Sequence, residues 1–371
     1  MFVPIANQPR DYAWGSRTLL ADYLGREPSG GPEAELWLGA HPGCPSRVTA
    51  GEQAGMDLGA AIEAAGGRQP SMLLKVLAAA EPLSLQVHPD AARARAGFER
   101  EDAAGVARDA PHRNYRDPFA KPELIVAVTP FEALSGFRPV DDAERVFDGL
   151  AALDARCAPV AERVRAGGGL AWLLSGAPEV APAVRAAADR IDDIAATLPG
   201  EADTIRRLAL AHPGDPGILV ALLLNRLSLA PGEALYLPAG NLHAYLEGLG
   251  IELMGPSDNV LRGGLTPKHV DVPELLAVVD TTPQIDPRLP SRPLDGAVAY
   301  RPPAPFELRR VDGAHSVAAG RGLLLAVSPA TVDVDGDRRR LAASEAAWID
   351  TDAPFRVDAA EAWLALDLDT P

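Results

Sequence analysis

Cysteine is nearly absent from this chain. Cys44 and Cys157 are the only two in 371 residues, and they lie far apart. No CxxC pair exists, which excludes a thiolate zinc knuckle and leaves no disulfide framework. Long apolar runs are also missing. The longest, such as residues 218–224, are far too short to span a bilayer. The opening MFVPIANQPRDYAWG has no basic start followed by an apolar block. It reads as lacking a secretory signal, so a cytoplasmic protein is expected. Positive charge is in deficit: 35 Lys and Arg face 51 Asp and Glu, a net charge of −16. That balance argues against nucleic acid and against an anionic membrane as partners.

What is present is enough apolar material to fold. Hydrophobic residues make up 47% of the chain, and 371 residues suffice for two or three cores. Residues 1–138 hold short apolar runs at 36–38, 72–77, 83–87, 124–128 and 133–137, punctuated by Pro and Gly. These are read as strands. Segment 91–120 is polar and Arg-rich, and is read as a helix and a long loop over a site mouth. From Asp141 the period becomes helical, with Asp141 and Glu144 as a capping box and Val146, Leu150 and Leu153 in one stripe. This Ala-rich block runs to about 225 and breaks at 167–169 and 176–178. Its last helix is expected to start at Asp215, with Pro216 at the first helical position. Strand patterning resumes at Arg226, with a turn at Pro231–Gly232. Beyond about 300 the pattern is all strand, including a hairpin turn at Asp335–Gly336. The fold expected is mainly β with an α insertion: a discontinuous unit of 1–138 and 226–295, a helical insertion of 139–225, and a β unit of 296–371. Two β-barrels fit this order.

Four metal-competent side chains come from three of the strand-like segments. Gln86 and His88 lie in LSLQVHPD, Glu123 in AKPELIVAV and His243 in LYLPAGNLHAYLEG. Gln86 and His88 are one residue apart, so a strand puts both on one face, and Pro89 ends it. Glu123 leads into a buried run, so its carboxylate needs a cation or a metal beside it; Lys121 is one choice. His243 and Tyr245 also alternate on one face. One zinc ion is the simplest reason for such a convergence, and a site without thiolates points to catalysis. The stretch IELMGPSDNVLRGGLTPKHVDV is charged, Gly-rich and coreless. It reads as a loop that closes over an anion and brings Arg262 to the reacting atoms. The remaining histidines read differently: His41 lines the barrel, while His112, His212, His269 and His315 serve surface or packing.

These segments resemble type I mannose-6-phosphate isomerases (phosphomannose isomerases). The resemblance rests on DYAWG (11–15), AELWLGAHP (34–42), LLKVLAAAEPLSLQVHPD (73–90), KPELIVAV (121–128), GDPGILVALLLN (214–225), LYLPAGNLHAYL (235–246) and SDNVLRGGLTPKHVDV (257–272). It implies two jelly-roll (cupin) barrels plus a helical domain. It also implies Gln86, His88, Glu123 and His243 as zinc ligands and Arg262 as the active-site arginine. Two departures stand out. Phe119 and Ala120 occupy the places of the family's Asn-His, and Gly263–Gly264 those of its Ala-Gly.

The reaction implied interconverts mannose 6-phosphate and fructose 6-phosphate by proton transfer through a cis-enediol(ate). Glu252, Asp258, Lys75 and Lys121 are all candidates for the base. Ser84, Lys121, Lys268, Tyr245 and Trp14 are the expected substrate contacts. The expected partner is a small sugar phosphate, bound by a monomer. Two other readings of the residues are an iron cupin oxygenase and a non-catalytic sugar-phosphate sensor.

Overall fold

The computed structural model describes residues 1–368. Its architecture follows from strands that have no solvent face. All seven residues of the strand Leu73–Ala79 are buried. Period-2 alternation sends Leu74, Val76 and Ala78 one way and Lys75, Leu77 and Ala79 the other, so both faces must be covered. The first set packs with Phe306, Trp348 and Trp363 of the C-terminal strands. The second set faces an interior that holds Phe131, Leu235 and Tyr245. The strand Glu123–Ala127 divides the same way, with Leu124 and Val126 outward and Ile125 and Ala127 inward.

One long strand, His243–Met254, is the spine of this unit. Its later half pairs with Leu73–Ala79 and Glu123–Ala127. Its first half pairs with Gln86–Val87 and Phe131–Phe137. The strand passes between these two groups at Gly248, where φ is 122°. A Cβ there would lie 2.6 Å from the Pro130 carbonyl oxygen, so only glycine fits. The strand expected over 83–87 is regular only at Gln86–Val87. Before it, the Leu83 amide donates to Tyr245 O and the Leu85 amide to Gly264 O. The backbone is bonded there to two different neighbours.

The helical segment runs from Val140–Leu153 to Gly217–Val220. It packs Phe147, Val160, Ile205 and Leu222 against Leu85, Leu134 and Leu246 on the back of the spine's first half. The capping box expected at Asp141 does not form. Pro139 is the N-cap, and Asp141 and Asp142 sit inside the first turn. Their charges suit the positive end of the helix, but they do not cap it. Asp215 lies one residue further out than expected, because Pro216 takes the N-cap position. Its Oδ1 still accepts from the Gly217 amide at 2.7 Å.

From Arg292–Leu294 onward the chain is strands. An eight-stranded and a four-stranded sheet enclose Leu324, Ile349 and Leu364 from one side and Val332, Phe355 and Val357 from the other. The expected hairpin joins Ala330–Val334 to Asp337–Leu341, with Asp335 and Gly336 at positive φ. Sheet membership cuts across the expected division of the chain. Phe2–Ala6 pairs with Ala346–Thr351, and Arg47–Val48 adds beside it, so two N-terminal strands join the C-terminal sheet. Val3 and Ile5 are buried there. Sequence order alone gives no sign of a pairing across some 340 residues. Among the described residues no helix is long and apolar enough to cross a membrane.

Candidate active site

Three strand ends deliver His88, Glu123 and His243 to one point. All three are buried, and their ligand atoms lie within 4.8 Å of one another. Glu123 Oε2 is 3.3 Å from His88 Nε2 and 3.3 Å from His243 Nε2. On the far side of each ring a carbonyl oxygen waits: Asn259 O at 2.7 Å from His88 Nδ1, and Asn241 O at 3.1 Å from His243 Nδ1. A carbonyl can only accept, so each Nδ1 donates, and in the neutral ring Nε2 is left as a lone pair. Burial pushes the His88 imidazolium down to about 4, so the ring is neutral near pH 7. Its Nε2 is buried without a hydrogen-bond partner. The His88 lone pair, His243 Nε2 and a carboxylate oxygen thus converge on one point, an arrangement that fits a divalent cation. Among the described residues no other group of His, Cys, Asp and Glu meets this test.

Gln86 stands beside this group. It is the register partner of both His243 and Arg262, so the three side chains share a sheet face. It lines a small inner cavity of about 50 Å³ with Glu123 and His243.

Two lysines are fixed by carboxylates. Lys121 Nζ lies 2.8 Å from Glu123 Oε1. Burial pushes the Glu123 carboxyl up, and the Lys121 ammonium opposes that rise. Lys75 Nζ lies 3.0 Å from Glu252 Oε2 and 3.5 Å from Glu35 Oε1, and 4.8 Å from the Trp37 ring centroid. Burial would lower its pKa, but Glu252, Glu35 and Glu123 raise it above the ordinary lysine value, so it is an ammonium. Glu252 accepts the Tyr245 hydroxyl at 3.0 Å. Burial raises Glu252, Lys75 opposes that rise, and Glu123 and Glu35 add to it.

Above this layer a cavity of about 640 Å³ opens, within the range of small-molecule sites. Lys75, Gln86 and Lys121 line its inner part, and Asp258, Arg262 and Lys268 its mouth. Asp258 Oδ1 is 3.5 Å from His41 Nε2. The Gly43 amide donates to His41 Nδ1 at 3.1 Å, which leaves the ring proton on Nε2, toward Asp258. Arg262 and Lys268 make no ion pair among the described residues. Burial lowers the pKa of both; Arg116 adds to this at Arg262, and Arg262 and Arg116 do so at Lys268. Arg116, Arg262 and Lys268, three cations without an ion pair among the described residues, therefore share one mouth with Asp258. Ser84 and Trp14 line an adjoining cavity of about 520 Å³, which Arg262, Lys268 and Gln86 also border. Tyr245 faces the small inner cavity.

Sequence reasoning placed Arg116 among the arginines of the 91–120 loop without a role of its own, and named the stretch of 251–272 but missed Asn259. Neither has a spacing that announces a role. Asn259 is fully buried and polar, a signal only the folded chain exposes.

The family model for the catalytic domain of type I phosphomannose isomerase matches residues 2–140. The mannose-6-phosphate isomerase of Salmonella typhimurium (strain LT2) is 39% identical over 323 residues, covering 82% of this chain and 81% of its own. The chain belongs to the type I phosphomannose isomerases. The Escherichia coli (strain K12) mannose-6-phosphate isomerase is 42% identical over 293 residues, 74% of each chain. A crystal structure of the Salmonella typhimurium enzyme, bound to fructose 6-phosphate and zinc, matches with a TM-score of 0.88. It has 33% sequence identity and covers 99% of both chains.

Against the phosphomannose isomerase pattern, the two departures have a local physical setting. Phe119 is 58% exposed, so the aromatic ring adds no packing at the place of the family's Asn. At Gly263 an added Cβ would lie 3.3 Å from Leu242 Cδ1 and 3.5 Å from Leu85 Cβ, so the family's alanine needs only slight give.

Proposed function

We propose that this chain is a zinc-dependent aldose–ketose isomerase that interconverts D-mannose 6-phosphate and D-fructose 6-phosphate through a cis-enediol(ate). The carrying observation is the convergence of His88, Glu123 and His243 beneath a mouth of unneutralised cations. Gln86, His88, Glu123 and His243 would hold one Zn²⁺. When bound, it supplies Lewis-acid stabilisation of negative charge on a sugar oxygen.

The chain's own residues then divide the work. Arg262 and Lys268 hold the phosphate end and keep the sugar at one depth in the cavity. Arg262, next to Gln86 in register, also sets positive charge against the enediolate oxygen. Lys75 stays an ammonium and cannot take a proton near neutrality, so it acts as fixed positive charge. Lys121 and Glu252 are engaged with Glu123 and with Lys75. Asp258 is the carboxylate open to the cavity mouth, and His41 backs it with an N–H. This pair is the best placed to move a proton between C2 and C1. Trp14 and Ser84 would border the substrate from the adjoining cavity, and Tyr245 would brace the inner layer through Glu252. The enzyme is taken to act as a cytoplasmic monomer.

The test is a coupled assay for fructose 6-phosphate from mannose 6-phosphate. Activity should vanish on chelation and return with Zn²⁺; full activity in metal-free protein would overturn the reading. Arg262→Ala should lower kcat by roughly 10²–10³ while zinc binding holds. Asp258→Asn should lower kcat by about 10²–10⁴, and an unchanged kcat would remove Asp258 from proton transfer.

A further inference from the structure

Asn259 is fully buried and bonds in two directions at once. Its backbone oxygen takes the Nδ1 proton of His88 at 2.7 Å. Its side chain grips the loop that precedes Lys121. Oδ1 accepts from the Arg116 amide at 2.7 Å and the Asp117 amide at 3.3 Å. Nδ2 donates to Asp117 O at 2.8 Å and Phe119 O at 2.9 Å. Both ends of the amide are therefore used, and neither an acid nor an aliphatic side chain could replace it. The loop grips back, since Asp117 accepts from the Ser257 hydroxyl and the Asp258 amide, each at 2.8 Å.

This clasp fixes where Arg116 stands. Its amide is held, while its guanidinium lines the mouth beside Arg262 and Lys268 with no acidic partner among the described residues. Three cations at one mouth repel one another, and an anion bound among them relieves this. A dianionic phosphate would be that anion, and a planar guanidinium suits it.

We propose that Asn259 is a positioning residue that orients His88 at the metal site and presents Arg116 as a third cation for the substrate's phosphate. This rests on the isomerase reading above. Its chemistry is that of hydrogen-bonded outer partners, whose loss typically weakens metal binding about 10–100-fold.

The experiment compares wild type, Asn259→Ala, Arg116→Ala and Arg116→Lys. Zinc affinity is read on metal-free protein by competition with a chromophoric chelator, which needs no turnover. KM and kcat for mannose 6-phosphate are read on the zinc-loaded enzyme. Asn259→Ala keeps the backbone oxygen but frees the loop that aims it, and should weaken zinc binding about 10-fold and raise KM. Arg116→Ala should raise KM several-fold, leave kcat and zinc affinity near wild type, and be only partly rescued by Arg116→Lys, which restores the charge but not the planar fork. Wild-type zinc affinity in Asn259→Ala would overturn the first half of the proposal. Unchanged KM in Arg116→Ala would overturn the second. The Arg116 side chain holds nothing in the fold, so that arm stands even where Asn259→Ala fails to fold. A wild-type protein without isomerase activity would instead sink the functional reading, and the zinc measurement would still report on Asn259.

Discussion

Lys75→Met would expose the electrostatics under the cavity. The lysine side chain is 7% exposed and its ammonium lies within 3.5 Å of Glu252 and Glu35. Methionine fills much of the stem's volume but carries no charge. Glu35, Glu252 and Glu123 would then share a buried region with Lys121 as the remaining cation. Removing one partner of a buried ion pair costs about 3–5 kcal/mol. On a chain of this length that loss lowers Tm by about 5 °C. The sign with pH follows from the carboxylates. Without Lys75 the folded pKa of Glu252, already raised, climbs further above its unfolded value. Protonation then relieves the repulsion at low pH, and the relief is lost as pH rises through the raised value. In wild type, Lys75 itself has a raised folded pKa, so its contribution persists until pH climbs past the ordinary lysine range. The variant should therefore lose far more stability, relative to wild type, at pH 8 than at pH 5. Urea denaturation of metal-free protein at both values measures this. Lys75→Met combined with Glu252→Gln should recover a large part of the loss at pH 8. Equal losses at both pH values, or no recovery in the double variant, would refute the reasoning.

Gly248→Ala should destabilise the fold by about 2–4 kcal/mol, because it forces a Cβ onto the Pro130 carbonyl at a left-handed φ; denaturation midpoints check this. Zinc should raise Tm, with stability growing by about 1.4 kcal/mol per tenfold excess over Kd, and a chelator should reverse it in calorimetry. Cys157 should stay unmodified by a disulfide reagent at pH 8 in the native protein and react on unfolding, because burial pushes its thiol up to about 11.

The legible parts of this protein were those governed by short-range rules. The one-residue spacing of Gln86 and His88 required only that the segment be extended, and it is. The helical block declared itself by its period, and the hairpin at Asp335–Gly336 by its turn residues. Even here a local rule could lose to its context: the box at Asp141 went unused because the chain leaves the preceding strand through Pro139 in an extended conformation. Arg116 and Asn259 were illegible for another reason. The Asn259 side chain meets the backbone at Arg116, and the two residues sit some 140 positions apart. The same holds for Phe2–Ala6, whose partner strand lies at the other end of the chain.

The sequence by itself determined the element types and the ligand-bearing strands, because period, turn chemistry and donor type are properties of neighbouring residues. Only the tertiary structure decided which histidine nitrogen is free, which lysine is held as an ammonium and which cations are left without a counter-charge. Those depend on burial and on distances of about 3 Å between segments far apart in the chain, where a low dielectric makes each unpaired charge or lone pair costly.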